Sequence, residues 1–172
     1  MASQFPAFIA HAGPGGSSDP YVFEGRVAIA DVSQAGEFVV WSAGTISECG
    51  ANPASILGII LGEAAASKKQ LANNKPQPYK STSTYTLVPI AVLSPDTIVG
   101  LSSSTVPVEA THRYNTYGIT LLTVNSFWNY WQLDISKTGA NARALVVDID
   151  STNGIFYVRF LPANLQGQST VS

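Results

Sequence analysis

Residues 144–161 read ALVVDIDSTNGIFYVRFL, and their reading decides the fold. Two apolar runs, 144–150 and 155–161, flank Asp150-Ser151-Thr152-Asn153-Gly154. That loop ends in Asn-Gly, the pair that most readily takes the positive φ of a tight hairpin. The runs are too short for helices and rich in β-branched and aromatic residues, so they read as two paired strands. The same grammar continues upstream. Residues 128–135 (WNYWQLDI) and 118–124 (GITLLTV) are strands, with Asn125-Ser126 as the turn between them. Residues 136–141 turn again, and 97–101 form another short strand after the turn at 94–96. Residues 85–93 (YTLVPIAVL) are apolar on both faces, and Pro89 implies an edge or a bulge.

The first half carries fewer signals. Residues 26–31 (RVAIAD) and 37–41 (EFVVW) alternate with a two-residue period, and 34–36 turn between them. Residues 42–53 read as a polar loop. Asn52-Pro53 resembles a helix start. Gly58, Gly62 and three isoleucines nevertheless favour a strand over 56–61. No long amphipathic helix is present. Strands recurring at roughly 10-residue spacing with turns between them indicate an all-β fold, an antiparallel β-barrel or a β-sandwich with little or no helix.

Two irregular stretches frame this body. Residues 1–20 contain Pro6, Pro14, Pro20 and a Gly/Ser run, so they read as an extended N-terminal arm. Phe5, Phe8 and Ile9 make the arm apolar, and such a patch needs burial on its own domain or on a neighbour. Residues 67–84 hold four of the nine Lys and Arg and two prolines, the composition of an exposed connector. The first part alone offers about three strands, too few for a separate core. One domain over 21–166 is therefore expected, with a fraying tail at 167–172.

Composition narrows the function. Only 12% of the 172 residues are charged and the net charge is -2, against about 25% charged in ordinary soluble domains. A strongly basic nucleic-acid binder and a polybasic membrane patch are excluded. Cys49 is alone, so no intramolecular disulfide and no cysteine-based zinc site can form. The start, MASQFPAFIA, reads as a poor signal peptide, and no run is long enough for a membrane span.

Catalytic chemistry finds little support. His11 lies in the arm and His112 in a loop beside Arg113. Asp148 and Asp150 share a strand face and, with Asp134, are a candidate carboxylate cluster, but no calcium-type loop surrounds them. Gly13-Pro14-Gly15-Gly16 neither follows a strand nor opens a helix, so it is no phosphate loop. No catalytic residue, cofactor or metal is expected. The conspicuous feature is Phe127, Trp128, Tyr130 and Trp131. One face of that strand serves the core. The other packs at an interface or stacks against a sugar.

Three stretches carry a resemblance: 21–41 (YVFEGRVAIADVSQAGEFVVW) with its continuation 46–67, then 88–101 (VPIAVLSPDTIVGL), then 143–166 (RALVVDIDSTNGIFYVRFLPANLQ). Through them the chain resembles the head decoration, or capsid cement, proteins of tailed bacteriophages. The resemblance implies a non-enzymatic β-rich protein, made in the host cytoplasm, on the outer surface of the virion. It implies the major capsid protein as partner, with homotrimers at three-fold or quasi-three-fold sites that clamp neighbouring subunits of the expanded shell. Nucleic acid and membrane are not expected partners. Partner-binding residues expected on this reading are Phe5, Pro6, Phe8 and Ile9 of the arm, and Trp128 and Tyr130 of the aromatic strand. The alternative is a carbohydrate-binding or adhesion module on a phage head or tail surface.

Overall fold

A computed structural model of the chain describes residues 7–11, 21–27, 32–61, 79–80, 86–125 and 128–166; the side chains of residues 11, 32–33, 79–80, 86, 123–125 and 128–129 lie outside that description. The first-half strands are β1 (Phe8–His11), β2 (Val22–Val27), β3 (Val32–Ser33), β4 (Phe38–Ser42), β5 (Thr45–Glu48), β6 (Gly58–Ile60) and β7 (Tyr79–Lys80). There follow β8 (Thr86–Val92), β9 (Ile98–Ser103), the single helical turn α1 (Glu109–His112), β10 (Thr116–Asn125), β11 (Trp128–Asp134), β12 (Ala144–Asp150) and β13 (Ile155–Phe160). The all-β expectation holds.

The strands close into two rings. Ring one is the closed barrel β2-β5-β4-β6-β8. In the second half β9, β11, β10, β12 and β13 pair in that order, and β13 returns to β9 from Phe156↔Leu101 to Arg159↔Ile98. The two rings have the same connectivity. In each, the first strand pairs parallel with the third (Val27↔Ile46; Gln132↔Ser102), and every other pairing is antiparallel. One topology is thus used twice in tandem.

The hairpin that decides the fold forms β12 and β13, with Gly154 at φ 73. Asp150 caps its turn by accepting the N–H groups of Thr152 and Asn153 at 3.0 and 2.9 Å.

Strands that are apolar on both faces are explained by the two rings. Val39, Ile46, Ile60, Val88 and Ile90 fill the interior of ring one. Their immediate neighbours Phe38, Ile59 and Ala91 point the opposite way and join a second cluster with Val99, Leu101, Ile119, Trp131, Leu133, Phe156 and Phe160 of ring two. Phe38 meets Trp131 and Phe160 edge to face, with centroids 5.4 and 5.1 Å apart. The outer face of ring one and ring two therefore share one apolar cluster, distinct from the one that fills ring one.

Polar side chains stitch the same seam. Asn52, at φ 50, accepts the Ile119 N–H at 3.1 Å and donates to the Asn141 carbonyl at 3.1 Å. After β13 the chain crosses back to ring one. The Ile56 N–H donates to Asn164 O, and the Gln166 N–H donates to Ile56 O. The Gln166 amide pairs with both backbone groups of Trp41, at 2.6 and 2.8 Å.

Several boundaries differ from the sequence expectation. Residues 42–53 are not simply a loop, because β5 lies within them. Ala43 and Gly44, at φ 49 and 84, make the two-residue turn that folds β5 onto β4, a conformation that Ala-Gly does not advertise. Of the strand expected over 26–31, Arg26 and Val27 lie in β2, which begins earlier, at Val22, and 28–31 lie outside the described residues. Residues 85–93 belong with the first half: β8 closes ring one. The connector 67–84 therefore interrupts a ring rather than separating two. Of it only Tyr79–Lys80 is described, and that pair is β7, antiparallel to β3. Pro89 fits β8 because β6 ends at Ile60, and the Pro89 carbonyl still accepts the Leu61 N–H at 3.0 Å.

Candidate functional site: the arm groove and the aromatic ribbon

The arm does not hang free at Phe8–His11. These residues pair antiparallel with β9, Phe8 opposite Gly100 and Ile9 opposite Val99, which makes β1 the end strand of the larger sheet. Ala7 is buried in the shared core, Ile9 packs against it, and Phe8 is 38% exposed. The Phe8 ring lies on Gly100, where an added Cβ would fall 2.3 Å from Phe8 Cζ. A glycine facing an aromatic across a ladder gives the ring a flat bed. Of the two burial sites expected for the arm, its own domain receives this part. Phe5 and Pro6 lie outside the described residues.

Beside β1 is an apolar cavity of about 350 Å³. Ala7, Phe8 and Ile9 form one wall, and Ala35, Gly36, Ile59, Ile60 and Leu61 form the other. Leu61 is exposed at its rim. The cavity was not legible in the sequence, because its walls come from three separate segments, 7–9, 35–36 and 59–61, that only the two-ring fold brings together.

The aromatic strand is β11, paired with β10 from Gly118↔Asp134 to Asn125↔Trp128. Its two faces separate as the alternation implies. Trp131 is fully buried in the core, and Tyr130 is half-buried opposite Leu122. Trp131 is thus removed from the sugar-stacking set. The Trp128 side chain and Phe127 lie outside the described residues. The exposed indole that sequence reasoning missed is Trp41, 43% exposed with its ring 6.5 Å from that of Phe23. Tyr21, the residue before β2, is 74% exposed.

The titratable groups are occupied structurally. His112 is buried; its Nδ1 accepts the Val108 N–H at 2.9 Å, and its ring packs edge-on against Tyr117 and Phe156. The His11 side chain is outside the description. The three aspartates do not converge. Asp148 pairs with Arg113 at 3.3 Å, Asp150 caps the hairpin turn, and Asp134 holds Ser136 and Lys137. Among the described residues no three His, Cys, Asp or Glu are grouped to hold a metal ion.

Burial works to raise the Asp134 carboxyl, but the Ser136 hydroxyl at 2.6 Å, the Ser136 N–H at 3.1 Å and the Lys137 ammonium at 3.2 Å outweigh it. The folded-state pKa therefore lies below the unfolded value of about 3.9. Its stabilising contribution is present above that value and is lost as pH falls through the lower folded pKa. Asp134→Asn should lower the melting temperature at pH 7, and the gap from wild type should close in strongly acidic buffer. A gap that persists unchanged down to about pH 2 would contradict this assignment.

Cys49 is 2% exposed, with its Sγ 3.8 Å from the Ser55 carbonyl. Desolvation, reinforced by Glu48 and Glu37, pushes its thiol up to about 12. A thiol reagent at pH 8 should leave native protein unlabelled and label one site per chain in denaturant, since only the thiolate reacts. Rapid labelling of the native protein would contradict the burial.

No family model matches the sequence, and no curated protein and no solved structure matches the chain.

Proposed function

We propose that this protein is a non-enzymatic structural protein of the outer surface of a tailed-phage capsid. It binds the expanded shell, and trimers of it clamp neighbouring major capsid subunits. The observation that carries the reading is the edge strand β1: an arm segment with a half-exposed Phe8, seated on a glycine beside an apolar cavity between two rings. That arrangement suits strand addition and pocket filling by an extended partner segment. The stretch from Met1 to Ser18 contains no Asp, Glu, Lys or Arg, so that part of the arm meets a partner without desolvating a charged side chain. Three such contacts in a trimer would act together, because after the first the others become intramolecular.

The test is co-sedimentation of the purified protein with expanded and unexpanded head shells from its source particle. Saturable binding to expanded shells alone, at copy numbers matching three-fold sites, is the expected result. No binding to either overturns the reading. Gly100→Val should lift Phe8 from its bed and weaken shell binding about tenfold or more, since the loss repeats at each contact. Unchanged binding by this variant would remove the arm from the interface.

A carbohydrate-binding reading is favoured by one observation, the exposed Trp41 beside Phe23. Saturable quenching of tryptophan fluorescence by glycans, lost in Trp41→Ala, would support it over the shell reading.

A further inference from the structure

We propose that Asn153 is a deamidation site of this chain and that Asp150 holds it shut in the folded protein. Capsid binding plays no part in this chemistry.

Asn153-Gly154 is the only Asn-Gly pair in the sequence. Such a pair is chemically weak. Once base has taken its proton, the Gly154 nitrogen can attack Asn153 Cγ, because glycine carries no side chain to hinder the approach. The Cγ–Nδ2 bond breaks, and Nδ2 takes up a proton and leaves as ammonia. Water then opens the five-membered imide at either carbonyl, giving aspartate or isoaspartate. One water enters and one ammonia leaves. Asn153 is exposed at the tip of the β12–β13 hairpin, so water and base both reach it.

Against this reaction stands a clamp. Asn153 Nδ2 donates to Asp150 Oδ2 at 2.6 Å, and the Asn153 N–H donates to Asp150 Oδ1 at 2.9 Å. One carboxylate thus grips the side chain and the backbone of the same residue. The Thr152 N–H, 3.0 Å from Oδ1, completes the grip. Cyclisation must detach Nδ2 from Oδ2, because that nitrogen is the leaving group. The bond lost is charge-assisted, the strong kind. The carboxylate also opposes the negative charge that builds on the attacking nitrogen and then on the carboxamide oxygen. The Asn153 side chain, its N–H and that of Thr152 hold the Asp150 carboxyl below the usual carboxylate range, against a desolvation that raises it. The clamp is therefore charged in neutral and alkaline solution, where the Gly154 nitrogen loses its proton most readily.

Failure of the clamp is irreversible. The product carries a second carboxylate where Nδ2 stood, so the attraction to Asp150 becomes like-charge repulsion. Isoaspartate also lengthens by one atom the backbone of a turn whose Gly154 sits at φ 73.

Incubation of the full chain at pH 8, followed by peptide mapping for aspartate and isoaspartate at position 153, tests this. Native wild type should convert about tenfold or more slowly than the same chain in denaturant. Asp150→Ala removes both carboxylate oxygens and should lose most of that protection while still folded, as its unlabelled Cys49 reports. Asp150→Ser keeps a turn acceptor for the N–H groups but no second oxygen for Nδ2. It serves as the readout if Asp150→Ala does not fold, and it too should convert faster than native wild type. Native wild type converting as fast as the denatured chain, or the folded Asp150 variant converting no faster than native wild type, overturns the proposal.

Discussion

Phe38→Ala is expected to cost about 4 kcal/mol, within the range for truncating a fully buried aromatic side chain. Phe38 is fully buried, yet it lies on the outside of ring one. Its ring fills the seam by meeting Trp131 and Phe160 of ring two edge to face. Removing it leaves a cavity between two closed barrels. Each barrel is tied by its own ladder, so collapse into the hole is limited and the cavity term stays large. Two aromatic contacts vanish as well, each worth about 1 kcal/mol beyond area burial. Urea unfolding should show a lower midpoint. The near-ultraviolet signal of the buried tryptophan should lose intensity in the folded variant. A loss under about 2 kcal/mol would mean that the seam repacks and the rings are less firmly docked than described.

Gly58→Ala is expected to cost about 3 kcal/mol through the opposite defect, overpacking. Gly58 lies in β6, between β4 and β8. A Cβ there would stand 2.3 Å from the Ala91 carbonyl oxygen, 2.7 Å from Ile90 Cγ2 and 3.1 Å from the Ala91 carbonyl carbon. The nearest obstacle is backbone of a paired strand, so no rotamer change relieves it. The β6–β8 ladder must separate, and that ladder closes ring one. Gly50→Ala is the matched control, with no heavy atom within 4 Å of its added Cβ, and should stay within about 0.5 kcal/mol of wild type. Equal unfolding midpoints for the two variants would overturn the close-approach argument.

Gly58 also shows how a correct sequence inference can have an incomplete reason. In the sequence it argues against a helix over 56–61. In the fold it is the point where two strands of a small barrel pass too close for a side chain. Similarly, Val39 and Phe38, or Ile90 and Ala91, read as strands covered on both faces. That pattern cannot say that one face fills a ring and the other a seam. The turn Ala43-Gly44 carries weak turn chemistry, and β5 disappears into an apparent loop. The candidate site divides the same way. The apolar arm and the aromatic strand are plain in the sequence, but the burial of Trp131, the exposure of Trp41 and the cavity beside β1 are not.

Local chemistry by itself therefore determined the class of this protein. Short two-residue-period runs, Asn-Gly and Gly/Pro punctuation and sparse charge leave an all-β chain with an arm uncharged up to Ser18 and an aromatic hairpin uncharged between Arg113 and Asp134. Tertiary structure alone decided that the strands close into two rings of one topology, that β8 belongs to the first, and that the outer face of the first packs into the apolar cluster of the second. The reason is physical. Alternation along a strand is set by neighbouring residues. Which strands pair, and what each face packs against, is set by contacts between residues far apart in the chain, and a single sequence does not encode those contacts locally.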